Sequence, residues 1–94
     1  MIVYIPIFTV EKHTYSLEKY IYTIYSEVKD ENDLKEICKN KLQNCLYYDC
    51  NSEYKYKLMH TYYKVDIQFD KDGIKSINHT ELNNEEINKL KLLL

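Results

Sequence analysis

One glycine and one proline, Gly73 and Pro6, punctuate a chain of 94 residues. The chain therefore has one ready position for a left-handed backbone and one built-in gap in a hydrogen-bond ladder. It carries no repeat, no low-complexity tract and no Gly/Pro/Ser linker. Element boundaries must be read from hydrophobic periodicity and from capping residues. The length fits one domain spanning residues 1–94, with a single thin core.

Residues 2–10 (IVYIPIFTV) are β-branched or aromatic on both faces, which predicts a strand with both faces partly covered. Pro6 lacks a backbone donor, so this strand belongs at a sheet edge or carries a bulge. Residues 17–28 present two patterns. Leu17, Tyr20, Ile21, Ile24, Tyr25 and Val28 sit at helical spacing behind Ser16, a possible N-cap. The run from Tyr20 to Tyr25 has β-forming chemistry, and the expectation is a strand paired with the first.

Residues 31–46 predict a helix, with Asp30 as cap and Glu31 and Asp33 in the first turn. Leu34, Ile37, Cys38, Leu42, Cys45 and Leu46 form its apolar stripe. Residues 54–59 alternate weakly and 62–70 cleanly, with Tyr63, Val65, Ile67 and Phe69 on one side. Lys71, Asp72 and Gly73 make a turn into a strand over 74–80. A helix over 84–93 follows, capped by Asn83 with Glu86 and stapled by Leu82 with Ile87.

The resulting order is β-β-α-β-β-β-α. It predicts an α+β fold, a small single-layer antiparallel sheet with helices packed on one face. The part from residue 31 onward has the element order of a double-stranded-RNA-binding domain. Its last helix, however, starts Asn84-Glu85-Glu86, which repels phosphate where such domains carry basic residues.

Arginine, alanine and tryptophan are missing, while Lys, Ile, Leu and Tyr abound, a skew that points to an AT-rich genome. The net charge of −2 lacks the basic excess of a nucleic-acid binder. Without arginine there is no bidentate grip on guanine or phosphate, which argues against nucleic acid as a direct ligand. No apolar run reaches the roughly 18 residues that span a bilayer. Three cysteines are too few for a secreted disulfide framework, so a reduced, cytoplasmic protein is expected.

Ten of the eleven tyrosines concentrate around residues 15–25 and 47–63. In the second group they interleave with lysines. Tyrosine offers large, rigid contact area, so Tyr54, Lys55, Tyr56, Lys57, Tyr62 and Lys64 are the expected partner-binding surface. Stacking of single-stranded bases on the same rings is the alternative use, and AT-rich codon usage alone accounts for the tyrosines equally well. Cys45, Cys50 and His60 lack the close pairing of a structural zinc site, and Cys38 and Cys45 read as core residues. Asp49 next to Cys50 disfavours a thiolate there. Asp70, Asp72 and Gly73 resemble part of a calcium loop, but Gln68 and His79 occupy positions that need ligands. A single glycine leaves no phosphate-binding loop.

No catalytic, cofactor or metal constellation emerges, and the expectation is a non-enzymatic protein-binding module. In size, motif content and codon skew the chain resembles phage-encoded inhibitors of bacterial defence, anti-CRISPR proteins among them, a resemblance of type that rests on no motif. It implies a phage or mobile-element accessory protein that blocks a host protein or ribonucleoprotein complex sterically. A patch of about 800 Å² per partner is enough for that. The alternatives are a single-stranded nucleic-acid binder and a homo-oligomeric structural or regulatory subunit, the latter prompted by the apolar tail from Leu90 to Leu94.

Overall fold

A computed structural model describes residues 1–11, 16–51 and 59–93. The β-branched start of the chain forms strand β1 (Ile2–Phe8), followed by a 3₁₀ turn at Thr9–Glu11. Strand β1 pairs antiparallel with β2 (His60–Asp70), which pairs antiparallel with β3 (Gly73–Glu81), so β2 is central. Val3 lies opposite Val65 and Ile5 opposite Tyr63. The Ile67 N–H donates to the Met1 carbonyl and the Thr9 N–H to Met59, each at 2.8 Å. Odd-numbered residues of β1 therefore face the ladder, and the donor that Pro6 lacks would have pointed away from it. An edge strand is where such a gap costs nothing, as the sequence predicts.

The turn between β2 and β3 uses Gly73 at φ 118°, a conformation that a side chain disfavours. A Cβ there would lie 3.5 Å from the Tyr25 ring. Gln68 faces Ser76 and Phe69 faces Ile74, so Lys75 is an extra residue in β3, a bulge.

Residues 17–26 correct the expected second strand: Leu17–Ser26 is helix α1. Ser16 caps it, accepting from the Lys19 N–H at 3.4 Å. Leu17, Ile21 and Ile24 are buried along one side while Tyr22 is exposed. The i, i+4, i+7 stripe buries one face against the sheet, and that gain overrides the β-forming side chains.

Helix α2 (Glu31–Asn51) starts where expected and runs 21 residues. Asp30 accepts from the Asp33 N–H at 3.0 Å. Helix α3 (Asn84–Leu93) opens on the expected reciprocal box: Glu86 N–H to Asn83 at 2.9 Å, and Asn83 N–H to Glu86 at 3.2 Å. Leu82 and Ile87, the expected staple, are both buried. The strand expected at 54–59 falls, up to residue 58, outside the described residues.

The fold is thus α+β, with one three-stranded antiparallel sheet and, among the described residues, three helices in the order β-α-α-β-β-α. Two apolar clusters hold it. Val3, Ile5, Ile7, Val65 and Ile67 meet Leu17, Ile21, Ile24, Leu34 and Cys38 in one. Tyr62, Leu82 and half-buried Tyr4 meet Leu42, Leu46, Ile87 and Leu90 in the other. Val3 and Tyr4 have opposite strand parity, so the clusters lie on opposite faces of the sheet, as expected of a first strand apolar on both sides. The helices accordingly divide between those faces, a correction to the expected packing on one face: a first strand apolar on both sides needs cover on both. Among the described residues no helix is long and apolar enough to cross a membrane.

Ile21 has no exposed surface, whereas Tyr22 beside it is 49% exposed. Ile21→Ala should cost about 2–5 kcal/mol in urea unfolding and Tyr22→Ala less than about 0.5 kcal/mol. Equal costs would contradict the helical stripe.

Candidate functional site

Of the residues expected at a partner surface, Tyr54, Lys55, Tyr56 and Lys57 lie outside the described residues. Lys64 is exposed on β2. Tyr62 is a correction: its exposure is 0%, so it offers no ring to a partner or a base. The alternation of 62–70 places Tyr62 on the same face as Lys64. That end of the face is covered by the α3 cluster, and burial of a large ring there outweighs its hydroxyl, provided the hydroxyl finds a partner.

The partner is Asp49 in the last turns of α2. Its carboxylate is fully buried and accepts from the Tyr62 hydroxyl at 2.5 Å, the Met59 N–H at 3.2 Å and His60 Nδ1 at 3.2 Å. With the carboxylate as acceptor, His60 Nδ1 is the donor of that bond. Three donors offset the burial of the charge. This cluster ties the end of α2 to the start of β2. The sequence held one faint signal of it: an acid near a helix C-terminus opposes the helix dipole and needs donors from elsewhere.

A cleft of about 330 Å³ opens beside this tether, where Tyr20, Lys41, Cys45 and His60 surround Pro6, Ile7 and Phe8. Lys41 Nζ donates to the Tyr20 hydroxyl at 2.9 Å and lies 5.0 Å from its ring centre. Thiol, imidazole, ammonium and phenol thus share one wall. The thiol is not primed, however. Burial pushes the Cys45 pKa up and Asp49 adds to the rise, with Lys41 only partly opposing them. Cys38 is a core residue whose pKa burial raises to about 11. Asp49, which pairs with His60 here, is committed to three donors. Among the described residues no group of three His, Cys, Asp or Glu gathers to hold a metal ion.

The surface around Lys64 is different in kind. Tyr4, Leu82, Leu90 and Leu93 form a groove with Lys64, Glu86 and Lys89. It continues past Tyr4, Leu90 and Leu93 onto Ile2, Val3, Leu42, Lys35 and Lys39. The two parts hold about 260 and 250 Å³. Leu93 is 82% exposed at the rim. Four lysines border the groove, one of them, Lys89, 3.8 Å from Glu85, while Glu86 is engaged in capping. In a chain of net charge −2, an apolar groove ringed by lysines is a local inversion of sign.

Comparison with protein-family models, curated proteins and solved structures finds no match. The chemistry of these surfaces is therefore what bears on function.

Tyr62→Phe should leave the buried carboxylate one donor short and cost about 1–3 kcal/mol in urea unfolding, with the fold retained by circular dichroism. A neutral result would show that the tether contributes nothing. Cys38 supplies a pH test. Its folded pKa lies above its ordinary value of 9.0, so only unfolding releases the proton readily. Its contribution to stability should be complete below pH 9 and fall as pH rises toward about 11. Cys38→Ser should flatten that part of the stability–pH curve.

Proposed function

We propose that this protein is a non-enzymatic protein-binding module that docks the groove between β1, α2 and α3 onto a partner. The observation that carries the reading is the exposed Leu93 continuing an apolar groove bordered by Lys35, Lys39, Lys64 and Lys89. Apolar side chains left at a rim favour contact with another apolar surface. The lysine border selects for acidic residues around it and speeds encounter with them. The partner is thus a protein surface with apolar side chains flanked by Asp or Glu.

Binding rather than catalysis is supported by the state of the reactive side chains: the Cys45 thiol is pushed up in pKa and Asp49 is engaged by three donors. Burial of Tyr62 weighs against base stacking on that ring, and the absence of arginine against phosphate recognition. Small size and AT-rich codon usage support the finer reading. In it the module comes from a phage or mobile element, works in the host cytoplasm, and blocks a host defence protein or ribonucleoprotein complex sterically, as anti-CRISPR proteins do in type.

Tagged protein incubated with nuclease-treated lysate of a low-GC bacterium should retain one stoichiometric protein. Leu93→Asp combined with Lys64→Glu should weaken that retention roughly a hundredfold. Tyr22→Ser, on the exposed side of α1, should leave it unchanged. Equal retention by the groove variant, or retention lost on nuclease treatment alone, would overturn the proposal.

A further inference from the structure

The cleft between α1, α2 and β1 holds a positive charge that is fixed in place but not neutralised. Lys41 forms no ion pair with an acid among the described residues. Its Nζ donates instead to the Tyr20 hydroxyl at 2.9 Å and lies 5.0 Å from the centre of that ring. Hydroxyl and ring are neutral partners, so they position the ammonium without cancelling its charge. Lys89 shows the contrast, with Glu85 at 3.8 Å.

His60 lines the same cleft. Its Nδ1 is engaged by Asp49 at 3.2 Å, and its Nε2 makes no hydrogen bond among the described residues. No buried side-chain polar atom among those residues lacks a partner, so Nε2 is within reach of solvent. The rest of the lining is largely apolar. Pro6 and Ile7 are buried, and Phe8, 37% exposed, meets the His60 ring edge-on with centroids 5.7 Å apart. Tyr62 continues this run of rings behind His60, at 6.3 Å. Among the described residues no Asp or Glu lines the cleft.

We propose that this cleft binds a small aromatic carboxylic acid, with its carboxylate on Lys41 and its ring against Phe8. A volume of about 330 Å³ suits a molecule of one ring. The anchored ammonium selects an anion over a neutral or cationic ligand, because its charge has no other partner. The apolar lining selects an anion with a ring over a bare one, because only the ring removes Pro6, Ile7 and Phe8 from water. Holding Lys41 beforehand lowers the ordering cost of binding. The cleft shares no lining residue with the groove proposed for the partner protein, so either site can fail without the other.

Benzoate is the probe, titrated into the protein and followed by two-dimensional NMR. Resonances of Phe8, Lys41 and His60 should shift saturably, with half-saturation near roughly 1 mM. Benzamide keeps the ring without the charge, and acetate keeps the charge without the ring. Each should bind at least roughly tenfold more weakly than benzoate. Lys41 is exposed, so Lys41→Gln should keep the fold while weakening benzoate at least roughly tenfold. Lys71→Gln, at the β2–β3 turn, should leave the affinity unchanged. Shifts that fail to saturate by about 20 mM, or that fall on Leu90 and Leu93 instead, overturn the assignment. So does benzamide or acetate binding as tightly as benzoate, or an unchanged affinity in a folded Lys41→Gln variant.

Discussion

One stripe of side chains on α2 serves both hydrophobic clusters, and the rest of the fold depends on it. Leu34 and Cys38 enter the cluster shared with α1, and Leu42 and Leu46 enter the one shared with α3. Twenty-one residues make a helix of about 31 Å, longer than a seven-residue strand, so α2 reaches past one face of the sheet. It packs against β1, the edge strand, whose alternate residues feed opposite clusters. The three strands among the described residues are covered on one face by α1 and on the other by α3, with α2 contributing to both. That is how a chain of this length buries enough apolar surface on both sides.

The same arrangement shapes the polar features. Where α2 ends, its carbonyls and the dipole make an acid unwelcome, yet Asp49 is buried there. The donors come from the start of β2, through Met59, His60 and Tyr62. Helix end and strand start are thus held together by a charge that neither could keep alone. Farther along, the space between β1, α2 and α3 closes only in part, and Leu93 overhangs it. The groove and the tether are two outcomes of one long helix crossing a short edge.

The elements that sequence reasoning reads well are those whose local and tertiary preferences agree. Asp30 caps α2, Asn83 and Glu86 box α3, and Gly73 turns the hairpin. Pro6 restricts its strand to an edge or a bulge, where a missing donor can be tolerated, and the structure uses the edge. The segment at 17–26 reads poorly because its two signals conflict: β-forming tyrosines and isoleucines occur at helical spacing. Periodicity prevails, since a buried stripe of Leu17, Ile21 and Ile24 contributes more than backbone preference. Tyr62 misleads for a related reason. Alternation shows which face a residue takes, and only the packing of α3 shows whether that face is dry.

By itself the sequence determined the α+β class, the hairpin, the helix caps and the restriction of the first strand to an edge or a bulge, because each rests on residues within a few positions of one another. Only the tertiary structure decided that Tyr62 is interior, that Asp49 is its partner, and that Lys64 borders an apolar groove. Those relations join residues from separate elements. Their distances depend on how α2 and α3 pack on the sheet, which no local pattern encodes.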